Sequence, residues 1–225
     1  MSLKYYAGPH IKNPNNKSVI QLLKDGRKIG SNIIQIYVGS NHLTTLKGKF
    51  NPNTKEAKTI KDFLRDKDMK IVIHGILNLN FCNPLTKRYQ WGFDNLIYDM
   101  KFAKKIGALG CVIHMGTYIT TKYKMTKEEC IKNYVKSLNY LLKNSPKGPK
   151  IFLETCSNQK NKIGGKMEEF AEIYNSLTKE FKKRVKICVD TAHIFEAGYD
   201  IRTDRGVTDF FNKFNNLLGI KNLKV

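Results

Sequence analysis

Three short apolar runs in this chain end on side chains that bind metals: Ile71-Val72-Ile73-His74, Val112-Ile113-His114 and Ile151-Phe152-Leu153-Glu154. A fourth, Val189-Asp190-Thr191-Ala192-His193, carries a carboxylate and an imidazole three residues apart. Neutral imidazole together with carboxylate oxygen is a donor set suited to Zn2+. A lone histidine at the end of a strand is more often a hydrogen-bonded structural residue. Asp190 can equally be a helix cap with His193 packed beside it. Three ligand-type side chains on successive strand ends outweigh the bland reading of each alone. Asp190 and His193 can face one rim while holding different metals, as a multinuclear hydrolytic centre requires. The pattern points to a metallohydrolase.

Side chains at the ends of separate strands meet only if those strands run parallel and side by side. A parallel barrel does this, gathering ligands at its C-terminal rim. Short β-branched runs do alternate here with segments of helical period, the signature of repeated βα units. Strands are expected over residues 4–8, 32–37, 70–74, 111–114, 150–154 and 185–190. Helices are expected over 17–29, 55–65, 93–106, 127–142, 167–182 and 206–217. Gly107 with Gly110, and the cluster Pro146-Lys147-Gly148-Pro149, stop the third and fourth helices before the strands that follow. Ile220-Lys221-Asn222-Leu223-Lys224-Val225 reads as a seventh strand beginning. Six βα units and a stub do not close an eight-stranded barrel. The expected fold is therefore α/β, an incomplete TIM (β/α) barrel forming a single domain over residues 1–225. The chain is expected to be a fragment of a longer one ahead of two alternatives, a protein that leaves sheet edges exposed or one whose missing strands are supplied by something else.

Lys and Arg total 40 against 19 Asp and Glu, a net charge of +21. That excess favours a polyanionic partner, nucleic acid first, although abundant Lys, Asn and Ile also arise from an AT-rich coding genome. Cys82, Cys111, Cys130, Cys156 and Cys188 show no CxxC spacing and read as reduced structural cysteines of an intracellular protein. No stretch resembles a signal peptide or reaches the roughly 20 apolar residues of a membrane span. The expectation is a soluble intracellular monomer, with nucleus, cytoplasm and virus particle left open.

The segment Cys188-Val189-Asp190-Thr191-Ala192-His193-Ile194-Phe195-Glu196-Ala197-Gly198-Tyr199-Asp200-Ile201-Arg202-Thr203 resembles the signature of endonuclease IV, the apurinic/apyrimidinic endonuclease family 2. The resemblance continues through Leu153-Glu154-Thr155 with Ile163-Gly164, through Val112-Ile113-His114-Met115-Gly116, through Ile73-His74-Gly75 with Asn80, and to Gly8-Pro9-His10. It implies a TIM barrel with up to three zinc ions in a groove for double-stranded DNA, manganese being an alternative metal. The residues matching His74 and His114 would bind one zinc, and Glu154 would bridge it to a second and be the catalytic carboxylate. Asp190 would bind the second and His193 the third. The implied reaction is base-excision repair: hydrolysis of the phosphodiester 5′ to an abasic site, leaving a 3′-hydroxyl and a 5′-deoxyribose phosphate. Four further family ligands, a His, an Asp-x-His pair and a Glu, would lie beyond Val225, so these 225 residues are not expected to be fully active.

The DNA-facing positions implied by the same resemblance are His10, His42, Leu77, Asn80, Lys87 and Arg88. Leu77 stands where many members place an aromatic residue, and an apolar wedge can also hold open a kinked step. It reads equally well as a rim residue over the core. His42 stands where an Arg often probes the duplex, or is a surface histidine without a role. Lys87 and Arg88 lie in a polar, basic and aromatic loop, residues 80–89, of the kind that contacts phosphates. Two other functions remain open: a sugar isomerase or epimerase of the xylose isomerase type, and a DNA-binding fragment without activity. The paired strand-end histidines, the segment from Asp190 to Thr203 and the +21 charge favour the nuclease over both.

Overall fold

The computed structural model describes residues 5–13, 16–39, 46–119, 124–159 and 161–225, with only the backbone of Arg88. Its strands are β1 (His10–Ile11), β2 (Ile33–Ile36), β3 (Lys70–His74), β4 (Gly110–Ile113), β5 (Lys150–Glu154) and β6 (Val185–Cys188). Its helices are α1 (Val19–Lys28), α2 (Thr54–Asp66), α3 (Gln90–Ile106), α4 (Lys127–Asn144), α5 (Met167–Asn175), α6 (Lys179–Lys182), α7 (Thr191–Glu196) and α8 (Asp204–Leu218). The six strands form one sheet in chain order, β1-β2-β3-β4-β5-β6. This is the expected α/β architecture of a TIM barrel in incomplete form. The strand interiors Ile71-Val72-Ile73, Cys111-Val112-Ile113 and Ile151-Phe152-Leu153 are all buried, so these strands are covered on both faces, as parallel strands are.

The chain divides into two compact units with interleaved segments: Met1–Asn78, Asp94–Val112 and Ser145–Lys150 in one, and Leu79–Phe93, Ile113–Asn144 and Ile151–Val225 in the other. In the first, β2 pairs in parallel with β3 from Ile33↔Lys70 to Ile36↔Ile73, and β3 continues onto β4 with His74↔Val112. Helix α1 packs on α2 and β2. Asn53 caps α2 in a reciprocal arrangement with Glu56, its side chain accepting from the Glu56 amide while the Glu56 carboxylate accepts from its own. A buried ion pair, Lys49 Nζ to Asp99 Oδ1 at 2.6 Å, ties the segment after β2 to α3.

The first strand begins later than the sequence suggests. Asn32 N–H donates to Ala7 O and Gln35 N–H to Pro9 O, so residues 7–9 do run beside β2. Pro9 has no N–H to return, and the ladder forms only at His10↔Gln35 and Ile11↔Ile36. Gly8 approaches β2 so closely that a Cβ there would meet Ile33 O at 1.7 Å.

In the second unit, β5 pairs with β6 from Ile151↔Val185 to Glu154↔Cys188. Thr126 and Glu129 form a capping box at the start of α4. One long helix was the expectation over residues 167–182, but the chain breaks between α5 and α6. Ser176 Oγ bonds back to Ile173 O at 2.7 Å, and Thr178 Oγ1 caps the new helix by accepting from Phe181 N–H. Both hydroxyls compete with the helical ladder. Residues 220–222 form a 3-10 turn, after which Leu223 bridges Ile187 in parallel and Val225 O accepts from Val189 N–H. The onset of a seventh strand is thus present in pairing.

The cysteine reading requires correction. Cys82 and Cys130 form a disulfide, leaving Cys111, Cys156 and Cys188 as buried thiols. Sequence spacing could not show this, since 48 residues separate the pair and only the return of α4 against the loop after β3 brings them together. Among the described residues, no helix is long and apolar enough to cross a membrane.

Candidate metal centre

The second unit gathers four of the five expected ligands. His114 follows β4, Glu154 ends β5, and Asp190 and His193 open α7 just past β6. His114 Nε2 stands 3.0 Å from Glu154 Oε2, and His193 Nδ1 lies 3.5 Å from Glu154 Oε1 and 3.8 Å from Asp190 Oδ2. The rings of His114 and His193 meet edge to face at 5.9 Å. Ligand atoms of Glu154, Asp190 and His193 all lie within 4.8 Å of one another. Glu154 is the buried centre of this group, its side chain 7% exposed.

Three of the candidate ligands, Asp190, His193 and His114, are held by hydrogen bonds behind them. Asp190 is the N-cap of α7: its Oδ1 accepts from the amides of Ala192 and His193 at 2.8 and 3.1 Å, which leaves Oδ2 turned toward His193. The capping alternative is therefore real, and it is compatible with ligation because it uses one oxygen only. His193 Nδ1 lies 2.8 Å from Thr155 O. A carbonyl can only accept, so Nδ1 carries the proton and Nε2 keeps the lone pair a metal needs. Tyr134, fully buried on α4, donates its hydroxyl to His114 O at 3.1 Å. Burial pushes that phenol's pKa up, which keeps it a donor.

The segment just after His114 is clamped from a second side. Asn80 Nδ2 donates to Thr117 O at 3.0 Å, and Asn80 Oδ1 accepts from the amides of Thr117 and Cys82, each at 3.2 Å. A Cβ on Gly116 would meet Cys82 Sγ at 2.1 Å, so the disulfide packs directly beneath the ligand loop. Asn80, expected to face DNA, thus spends its amide on the chain's own backbone. Lys87 is exposed in the 3-10 turn Lys87–Tyr89 of the same unit.

In the first unit, His74 ends β3 with its Nδ1 2.6 Å from Gly75 O. By the same reasoning Nδ1 is the donor there. His10 stacks on His74 with ring centroids 5.3 Å apart, and Tyr37 closes the trio at 4.6 and 5.1 Å. Leu77 sits in a turn, 39% exposed. His42 lies outside the described residues.

Two imidazoles and two carboxylates in this spacing concentrate negative charge in a strongly basic chain, and a buried carboxylate needs a cation or donors around it. The donor set fits a divalent ion, and its oxygen and nitrogen composition suits zinc. Two buried thiols, Cys156 and Cys188, lie two residues from Glu154 and Asp190 respectively. Burial, aided by the charges of Glu154 and Asp190, raises the Cys188 pKa, and burial likewise raises that of Cys156. The supporting residues Thr155 and Tyr134 were not singled out from sequence. Thr155 directly follows a ligand, which was the available signal; Tyr134 lies on the apolar face of α4 and gives none.

The sequence profile of the xylose isomerase-like TIM barrel matches residues 23–225. A putative endonuclease 4 of Acanthamoeba polyphaga mimivirus is 29% identical over 211 residues, spanning 92% of this chain and 66% of that protein. An apurinic-apyrimidinic endonuclease of Caenorhabditis elegans is 30% identical over 155 residues, 69% of this chain and 38% of the relative. The crystal structure of endonuclease IV from Thermus thermophilus superposes with a TM-score of 0.73 at 18% identity, covering 94% of this chain and 71% of that one. The chain thus spans about two thirds of the mimivirus protein's length. With its sheet order and the profile match in agreement, this chain belongs to the xylose isomerase-like TIM-barrel family.

Proposed function

We propose that the chain carries the metal centre of a zinc-dependent DNA-repair endonuclease that hydrolyses the phosphodiester 5′ to an abasic site, leaving a 3′-hydroxyl and a 5′-deoxyribose phosphate. The observation that carries this reading is that ligand atoms of Glu154, Asp190 and His193 lie within 4.8 Å of one another, with His114 Nε2 3.0 Å from Glu154 Oε2, at or just past the ends of successive strands. The +21 charge supports a polyanionic substrate, and relatives called endonuclease 4 and apurinic-apyrimidinic endonuclease support the reaction class. The partner is then double-stranded DNA with abasic sites, met by a monomer.

In this reading Glu154 is the shared ligand, flanked by His114 on one side and by Asp190 and His193 on the other. His74 joins the set on sequence grounds, since it ends β3 as His114 follows β4. Bound zinc would supply Lewis acidity to water and to the phosphate oxygens, and manganese could take one of the positions. The protein's share is to hold the Asp190 carboxylate and the His193 imidazole in the orientation a metal needs. Lys87 and Arg88 would contact the DNA backbone, with His10, His42, Leu77 and Asn80 nearer the lesion. A sugar isomerase or epimerase is disfavoured by two histidines at strand ends and by the basic charge.

The test is incision of a duplex oligonucleotide bearing one abasic analogue, in zinc buffer, by this chain and by His114→Ala. Incision on the 5′ side that is lost in the variant and in EDTA is the expected result. A chain that takes up zinc and binds the duplex but leaves it intact would be the DNA-binding fragment instead.

A further inference from the structure

One residue that is not itself a ligand connects the ligands of β5 to those after β6. Thr155 N–H donates to Cys188 O at 2.9 Å. Its Oγ1 accepts from Asp190 N–H at 3.0 Å, and its carbonyl accepts from His193 Nδ1 at 2.8 Å. Thr155 therefore uses its amide, hydroxyl and carbonyl together, and all three bonds end on the segment from Cys188 to His193.

The two ligand contacts do different things. The carbonyl selects the His193 tautomer that leaves Nε2 able to bind a metal. The hydroxyl fixes the Asp190 backbone at φ −89°, ψ 118°, the extended conformation from which the side chain can reach back to cap α7 with Oδ1. With Oδ1 committed, the direction of Oδ2 follows from the backbone at Asp190. Without the hydroxyl the Asp190 amide loses its partner and the carboxylate loses its aim.

We propose that Thr155 is a positioning residue of the metal centre, whose hydroxyl sets the orientation of Asp190 as a ligand. The proposal rests on the metal-centre reading above, and the experiment separates the two. Co2+, which reports ligation through its visible absorption bands, is titrated into metal-free wild type, Thr155→Val and Thr155→Ser. Valine keeps the shape and removes only the hydroxyl; serine restores it. Thermal unfolding of each protein in EDTA gives a readout of folding without metal.

The expected result is Co2+ absorption in wild type, about tenfold weaker affinity in Thr155→Val with an altered band pattern, and serine within about twofold of wild type, since removing a partner that orients a ligand costs 10–100-fold in metal affinity. Melting in EDTA should be closely similar for the three. If wild type binds no Co2+, the metal-centre reading fails and this proposal with it. If wild type binds and Thr155→Val binds equally well, or Thr155→Ser loses as much as valine, only the role of Thr155 is overturned.

Discussion

Nε2 of His114 stands 3.0 Å from Oε2 of Glu154, although 39 residues of chain, including all of α4, lie between the two. Glu154 is in register with Cys188, two residues before Asp190, so the buried carboxylate sits between the candidate ligand that precedes it and those that follow. Glu154→Gln keeps the volume and removes the charge shared by this group. It should lower metal content, read by elemental analysis after dialysis, more than Asp190→Asn, whose cap to α7 survives through its remaining carbonyl oxygen. Equal losses would remove Glu154 from the centre of the site.

Chelation has a second consequence. A ligand that binds only the folded chain stabilises it by mass action. Wild type should therefore melt at a higher temperature in zinc than in EDTA, while His114→Ala shows a smaller shift. An unchanged melting temperature with zinc present would count against a built site.

The disulfide makes a countable prediction. Alkylation of the unfolded, unreduced chain should modify three cysteines, Cys111, Cys156 and Cys188, with Cys82 and Cys130 recovered as one cross-linked peptide pair. Cys130→Ser should cost about 2–4 kcal/mol, the usual contribution of a cross-link. Alkylation of all five would show that the chain holds thiols there.

Gly116 lies two residues past His114, and a methyl group there would enter space held by Cys82 Sγ at 2.1 Å and Asn80 Oδ1 at 2.8 Å. Gly116→Ala should cost about 1–3 kcal/mol as an overpacking change, measured by urea unfolding. It should also weaken metal binding by displacing the loop that carries His114. Asn80→Ala should move the same two observables in the same direction. If it instead weakens DNA binding alone, Asn80 faces DNA as the sequence suggested.

Lys49 and Asp99 are both almost fully buried, and burial pushes the Asp99 carboxyl up to about 6 while Lys49 pulls it back. Removing one partner leaves the other charged and unpaired, so Asp99→Asn should cost about 3–5 kcal/mol, and Lys49→Met with Asp99→Leu should be near neutral. The Asp99 value lies above the ordinary 3.8, so between about pH 4 and about pH 6 the folded chain holds a proton that the unfolded chain releases. Relative to the double variant, wild-type stability should fall as pH rises through that window and level off above it. A difference that is flat from about pH 4 to 7 would contradict the raised carboxyl.

Much of this site is legible in the amino-acid sequence. Strands β3 and β5 occupy the residues read from sequence, because an unbroken apolar run ending in His74 or Glu154 has one arrangement that buries the run and leaves the polar end at the rim. Composition and local pattern determined the parallel α/β architecture, the candidate ligand types and the +21 net charge. Other features depend on residues far apart in the chain meeting. The shortened β1 follows from Pro9 against β2, the break after α5 from Ser176 and Thr178 bonding locally, and the disulfide from the return of α4. Only the tertiary structure decided that Asn80 braces Thr117 and that Thr155 spans from β5 to Asp190 and His193. A hydrogen bond depends on angle and on distances of about 3 Å between groups tens of residues apart. Spacing along the chain carries no information on that scale until the strands have paired.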